Sequence, residues 1–295
     1  MARLAYLGTP DMAVPPLRAL VEAGHDIALC VTRPDRRRGR GKEETPSPVK
    51  VVATELGLPV THDMNDLTAA AVELAVVVAY GRIIPARLLE QTPMVNLHFS
   101  LLPRWRGAAP VERAILAGDH ETGVCLMKVE EGLDTGPVYA VRTVPIDDDI
   151  TLAALREELV TVASALVVDA LALGVALLPH PVPQEGEVTL AEKISKEDLH
   201  LDWTRPADEL KRVVRLGRAW TTFRGKRLTV LDVALEPDDG DAGEHVPGSL
   251  QGPVVATGGG RLLLKQVQPE SRSPMSAEEW MRGVRPAVGE RLGTE

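Results

Sequence analysis

Apolar and polar positions alternate in two rhythms along this chain. RLAYLG, DIALCVT, ELAVVVAYG and MVNLHFS are short, nearly unbroken apolar runs bounded by turn residues, the pattern of strands buried on both faces. Between them, GTPDMAVPPLRALVEAG, SPVKVVATELG and GAAPVERAILAGD read as helices, the first ended by Gly24. Strands alternating with helices predict an α/β fold with a mainly parallel, Rossmann-like sheet. The first strand runs into Gly8-Thr9-Pro10 and not into a G-x-G-x-x-G loop, so the ligand expected at this sheet is not a dinucleotide. TGVCLMKVEEGLDTGPVYAVRTVPI then reads as two strands bracketing a turn, and a long helix from residue 151 to about residue 172 closes the domain.

The pattern changes from residue 179 to 203, which is irregular and proline-rich. ADELKRVVRLG restores a helix with a basic face, KRLTVLDVALE and GPVVATGGGRLLLKQV read as strands, and the three glycines between the last two apolar stretches supply a hairpin turn. MSAEEWMRG opens a late helix with a capping box at Ser276 and Glu279. A chain of 295 residues is expected to form two domains at roughly 100 to 200 residues each. The boundaries read are 1–190 for the first domain, 191–207 for a linker and 208–295 for a smaller, strand-rich second domain.

Composition narrows the class. The apolar runs fall short of the roughly 20 residues that cross a bilayer, and LAYLG leads into a turn without a secretory pattern. A cytoplasmic protein without membrane contact is expected. Cys30 and Cys125 lie in apolar strand-like runs and read as small core residues, in keeping with a reducing compartment. Histidines 25, 62, 120, 180, 200 and 245 show no ligand spacing, so no metal is expected. The net charge of −9 argues against general nucleic-acid binding, yet Arg33, Arg36, Arg37, Arg38, Arg40 and Lys42 stand against Asp35 alone, a local charge of +5. Such a run is either a solvated loop or, with Gly39 and Gly41 making it pliable, a surface for phosphate.

The chemistry concentrates between residues 96 and 136. Asn96 and His98 are two apart in MVNLHFS, so on a strand both side chains leave one face. Proline in the Ser-Leu-Leu-Pro run that follows breaks the strand. A paired amide and imidazole at a strand end can donate to an oxygen that becomes negative during acyl transfer. Asp134, in EGLDTGP, is the carboxylate to orient that imidazole or carry its proton. Singly, each residue is as readily a turn former or a structural polar group; it is their grouping that points to a site. Arg104 and Arg106 flank Trp105 just beyond and read either as a solvated pair or as cations at the mouth of the site, with Trp105 as a stacking face. Trp220 is open to the same two readings, functional surface or core.

The segment NLHFSLLPRWRGAAPVERAILAGDHETGVCLMKVEEGLDTGP resembles the catalytic segment of methionyl-tRNA formyltransferases. YLGTPDMAV, RPDRRRGRGKEETPSPVK, VVAYGRIIP and AEKISKEDLHLDW resemble the same family in the same order. The likeness is strong to about residue 205 and weaker beyond; Phe99 departs from it, standing where a small residue is expected. The resemblance implies transfer of the formyl group of 10-formyltetrahydrofolate to the α-amine of methionyl initiator tRNA. It implies direct amine attack, Asn96 and His98 donating to the oxyanion, and Asp134 favouring charged His98 and relaying the proton. Ala79, Tyr80, Gly81 and Ile83, with Ser100, Leu101, Leu102 and Pro103, would bind the folate; Arg36, Arg37, Arg38, Arg40, Lys42, Arg104 and Arg106 would bind the tRNA. The second domain is then expected to be a β-barrel of OB-like form that helps hold tRNA, with no obligate protein partner. The alternatives are a formyltransferase using the same folate site on an amino sugar nucleotide or other small amine, and an idle RNA-binding relative, which would be expected to lack one of the three polar residues.

Overall fold

The structure, a computed structural model, describes residues 1–37, 44–237, 246–287 and 289–294, and the backbone only of Arg36 and Arg37. The chain forms two compact units. One comprises residues 1–110, 121–145 and 156–192; the other comprises 111–120, 146–155 and 193–295.

In chain order the first elements are β1 (Arg3–Gly8), α1 (Val14–Glu22), β2 (Asp26–Val31), the short strands β3 (Arg36–Arg37) and β4 (Glu44–Thr45), α2 (Pro48–Glu55) and β5 (Val60–Thr61). Next come β6 (Leu74–Val78), α3 (Ala86–Gln91), β7 (Met94–His98), β8 (Arg106–Gly107), α4 (Pro110–Ala117), β9 (Glu121–Lys128), β10 (Val138–Pro145) and α5 (Leu152–Leu171). The main sheet runs β10-β9-β7-β6-β1-β2-β5. Strands β5, β2, β1, β6 and β7 are mutually parallel, whereas β9 and β10 are antiparallel additions. Strand β6, LAVVV, is buried at every position, as a central strand covered on both faces must be. Strands β1 and β2 contribute Ala5, Leu7 and Val31 to a core that also holds Tyr80, Leu88 and Met94.

Sequence signals set the helix starts. Ser47 caps α2 by accepting the Lys50 amide at 3.0 Å, with Pro48 at the first helical position. Gly24, at φ +83°, closes the chain beyond α1.

The second unit contains α6 (Ala207–Arg215), preceded by the short β11 (Leu190–Ala191) of the first unit. Strands β12 (Trp220–Phe223), β13 (Lys226–Glu236), β14 (Leu250–Gln251), β15 (Val254–Ala256), β16 (Arg261–Pro269) and β17 (Met275–Ser276) lead to α7 (Ala277–Val284). The sheet order is β12-β13-β16-β15-β14, with β17 on β16 and every pairing antiparallel. The capping box at Ser276 and Glu279 is formed. Residues 191–207 are not a free linker over their whole length: Leu201, Trp203 and Ala207 are buried in the core of the second unit with Leu210, Val230 and Trp280. Trp203 also donates to the Thr221 hydroxyl at 3.0 Å. Their apolar side chains are too few to show a period, but burying them offsets the cost of ordering the segment.

Candidate active site

The carboxyl ends of β1, β6 and β7 lie along one sheet edge, since Gly8 pairs with Val78 and Val77 with Asn96. Ligands of open α/β sheets bind at that edge. Thr9 donates from its hydroxyl to the Tyr80 carbonyl at 3.1 Å, joining the loops after β1 and β6.

Asn96 and His98 leave β7 on one face, as their spacing requires. His98 is buried. Its Nε2 lies 2.9 Å from the Trp105 carbonyl; because a carbonyl only accepts, that nitrogen carries a hydrogen. Its Nδ1 faces Asp134 Oδ2 at 3.5 Å. The Nε2 edge of the ring is thus taken up within the chain, and the Nδ1 edge is the one turned toward Asp134. No hydrogen bond among the described residues uses the Asn96 carboxamide.

Asp134 is brought to His98 by the loop between β9 and β10. It adopts φ +52°, a left-handed conformation that Asp tolerates better than most residues. Its Oδ2 also accepts the Gly107 amide at 2.9 Å. Gly107 is required there: at φ +127°, a Cβ would stand 2.8 Å from the Ala191 carbonyl oxygen. That carbonyl belongs to β11, which pairs with β8 and also accepts the amides of Ala108 and Ala109 at 2.8 and 3.1 Å. The Trp105 amide is held at 2.9 Å by Thr189 Oγ1. Trp105 itself takes φ +65°, costly for a bulky residue, and the conformation carries the carbonyl that meets His98.

The residues expected to bind folate divide. Ser100 is fully buried, and its hydroxyl donates to the Arg104 carbonyl at 2.6 Å, closing the turn through Leu101, Leu102 and Pro103. Its side chain thus braces that turn. Leu101 packs where a Cβ on Gly123 would sit. The Tyr80 side chain is buried in the core that holds Leu88 and Met94. Ala79, at φ +44°, and Gly81, at φ +76°, curve the chain beyond β6 and leave Ala79, Gly81 and Ile83 exposed. Phe99 is buried.

The residues expected to meet tRNA divide as well. Arg106 donates from Nε and Nη2 to Gln184 Oε1 at 3.0 and 2.7 Å, so it is an internal brace. Arg104 is exposed, with its guanidinium 4.4 Å from the Trp105 ring centre. Arg38, Arg40 and Lys42 lie outside the described residues, as do Gly39 and Gly41; Arg36 and Arg37 form β3, paired with β4. Asp35, the one acid in that run, is bound by Lys50 of α2 at 2.6 Å. Trp220 donates from its ring nitrogen to the Lys196 carbonyl at 3.1 Å and is half-buried between His200 and Arg227.

Sequence reasoning missed Gly107, Thr189 and Gln184. Gly107 was visible as the glycine of PRWRGAAP. Thr189 and Gln184 sit 84 and 50 residues from their partners in an irregular segment, where no local pattern marks them. Burial pushes the thiols up, Cys30 to about 12 and Cys125 to about 11, so neither is a nucleophile. Among the described residues no helix is long and apolar enough to cross a membrane, and no group of three or more His, Cys, Asp or Glu side chains is placed to hold a metal ion.

Residues 2–171 match the family model described as formyl transferase, and residues 193–285 match that of the formyl transferase C-terminal domain. A methionyl-tRNA formyltransferase of Ruegeria pomeroyi is 41% identical over 304 aligned residues, covering 98% of this chain and 100% of that protein. Among solved structures, the N-formyltransferase of Helicobacter canadensis, in complex with folinic acid and dTDP-3-aminofucose, aligns with a TM-score of 0.68 at 16% identity, over 91% of this chain and all of that one. HypX of Aquifex aeolicus, in complex with tetrahydrofolic acid, aligns with a TM-score of 0.64 at 18% identity; this chain spans 98% of itself and 48% of that protein. These structural likenesses are likenesses of fold. With both family models matched and near-full-length identity above 40%, the chain belongs to the formyl transferase family, and within it to the methionyl-tRNA formyltransferases.

Proposed function

We propose that this protein transfers the formyl group of 10-formyltetrahydrofolate to the α-amine of methionyl initiator tRNA, with Asn96, His98 and Asp134 as its catalytic residues. The observation that carries the reading is the convergence of Asn96, His98 and Asp134 at the carboxyl edge of the parallel sheet, with Nδ1 of His98 3.5 Å from Asp134 Oδ2. The neutral α-amine is already a nucleophile and needs no activated Ser or Cys. Ser100 is turned away into its own turn and both thiols are held protonated.

As the amine adds to the formyl carbon, negative charge develops on the formyl oxygen. Asn96 donates from its side-chain N–H₂, and His98 from Nδ1, to that oxygen; one such donor contributes roughly 3 kcal/mol in the transition state. Asp134 takes the proton released from the amine, directly or through water, and returns it toward N10 as the C–N bond breaks. The Gly107 amide on Oδ2 fixes the carboxylate without neutralising it. The loops after β6 and β7 supply the folate site through backbone groups near Ala79 and Gly81 and the turn at Leu101, Leu102 and Pro103. Arg104 and the basic run from Arg33 to Lys42 meet tRNA phosphates.

The reading that competes is an amino sugar nucleotide as acceptor, because the Helicobacter fold neighbour binds one. The match of residues 193–285 to the C-terminal model and the full-length identity to tRNA enzymes favour tRNA. Purified protein, labelled formyl donor and three acceptors test it: methionyl initiator tRNA, methionyl elongator tRNA and a dTDP-amino sugar. Transfer to the initiator far above the other two is expected; transfer to the sugar with none to tRNA would replace the reading.

A further inference from the structure

Gln184 sits in the proline-rich segment 179–189, where its neighbours Pro183 and Glu185 are exposed while Gln184 itself is half-buried. Every hydrogen-bonding capacity of its carboxamide is filled. Nε2 donates to the carbonyls of Asp134 and Gly136, each at 2.8 Å, which uses both of its hydrogens. Oε1 accepts from Nε and Nη2 of Arg106 at 3.0 and 2.7 Å, which uses both lone pairs. The backbone around it is fixed at two points: Val182 exchanges amide hydrogen bonds with Val138 at 2.8 and 2.9 Å, and Thr189 holds the amides of Trp105 and Arg106 at 2.9 and 3.0 Å.

The groups Gln184 joins are those that Asp134 itself joins. The Asp134 carboxylate reaches from the turn of residues 134–136 to Gly107 of β8, and Gln184 reaches from the same turn to Arg106 of β8. The two links close a ring around a residue whose backbone is left-handed, a conformation that persists only where its surroundings hold it. We propose that Gln184 is a positioning residue of the formyl-transfer site, setting the carboxylate of Asp134 against His98 without touching either reacting partner. It would thereby also remove Arg106 from the set of tRNA contacts. Small displacements of a reacting group cost up to about 100-fold in rate, which gives the ring leverage on the chemical step.

The kinetic part of this inference rests on the proposed reaction, so its test has an arm that does not. Gln184→Met keeps the length of the side chain and removes all four hydrogen bonds. Gln184→Glu keeps the acceptors for Arg106 and sets a carboxylate against two carbonyls. Expected are a fall of about 10- to 100-fold in kcat for both variants, KM values for folate and tRNA within about twofold, and a non-additive effect of Gln184→Met in an Asp134→Asn background, measured in single turnover. Nitrogen chemical shifts of the His98 ring, recorded by NMR without substrates, are expected to differ between wild type and Gln184→Met. Full kcat in Gln184→Glu would mean that only the Arg106 brace matters and would overturn the proposal. So would an effect that multiplies independently with Asp134→Asn, or an unchanged His98 ring. If wild type formylates no tRNA, the proposed reaction fails while the ring shifts still decide the role of Gln184.

Discussion

At the scale of single residues, the site divides its labour between groups that face a substrate and groups that are internally satisfied. Asn96, proposed for the first kind, offers the cleaner test, because His98→Ala would also remove a buried ring and orphan the Trp105 carbonyl. Asn96→Ala is expected to lower kcat by about 100-fold or more, the worth of one oxyanion donor, while the dissociation constant for folate stays within a few fold. Near-normal turnover in steady-state assays would remove Asn96 from the mechanism. Asp134→Asn is expected to be at least as slow with its fold intact, since the amide can keep the Gly107 hydrogen bond through its oxygen but accepts no proton; far-ultraviolet circular dichroism and kcat together check this. Both side chains were legible in the sequence for a physical reason. A two-residue spacing on a strand defines a shared face, and a Gly-Leu-Asp-Thr-Gly run defines a turn. The residues that hold them were not legible, because Gly107 meets Asp134 across 27 residues and Gln184 across 50, separations that carry no periodic signal. The brace between Arg106 and Gln184 was hidden for the same reason: the two lie 78 residues apart.

At the scale of elements, apolar pattern was enough wherever an element buries itself by its own periodicity. Strands β1, β6 and β7 and the capped helices α2 and α7 have the starts and ends that their residues dictate. Pattern fails at β8 and β11, two residues each, which exist only through their pairing with one another. It fails again after β11, where a segment with the look of a linker joins a core by Leu201 and Trp203. The short helical turn over Glu197–Leu199 is tied into its unit by Asp198. Arg113 places Nη1 and Nη2 on the two Asp198 oxygens at 2.9 and 3.1 Å, and the Ser195 amide donates to the same carboxylate at 2.9 Å. Partial burial pushes this carboxyl up, but the Ser195 and Arg113 hydrogen bonds outweigh it and hold it below the usual range. A group whose pKa is depressed by folding stabilises above its unfolded value, near 3.9, and loses that contribution as pH falls through the folded value. Asp198→Asn is therefore expected to cost about 2 kcal/mol in denaturant unfolding at pH 7, and the gap from wild type should narrow below about pH 4. A gap that stays constant down to pH 2.5 would mean that packing, and not the charge, carries the effect.

At the scale of the whole molecule, the distribution of charge bears on how a polyanionic acceptor is held. A chain of net −9 repels a polyanion on average, so affinity for tRNA has to come from local concentrations of cations. The run from Arg33 to Lys42 is such a concentration, and at its ends Thr32 and Ser47 share a buried hydrogen bond at 2.6 Å, β3 pairs with β4, and Lys50 takes up the only acid of the run. Within the run itself the sequence sets six cations against that one acid. Each phosphate neutralised by such a cation releases counterions, so tRNA binding should weaken with salt, and losing a contact should flatten that dependence by roughly 0.7 to 0.9 in the log–log slope. Replacing Arg36, Arg37, Arg38 and Arg40 together by Gln is expected to lower kcat/KM for initiator tRNA at least 10-fold at 0.15 M salt, with folate binding unchanged. Arg40→Leu alone, at a position with a glycine on either side, should show a smaller loss with a shallower slope. The measurement is kcat/KM for tRNA at two or more salt concentrations, in wild type and both variants. Equal values and equal slopes would make the run a solvated loop, and recognition of tRNA would then have to rest on the second unit and Arg104.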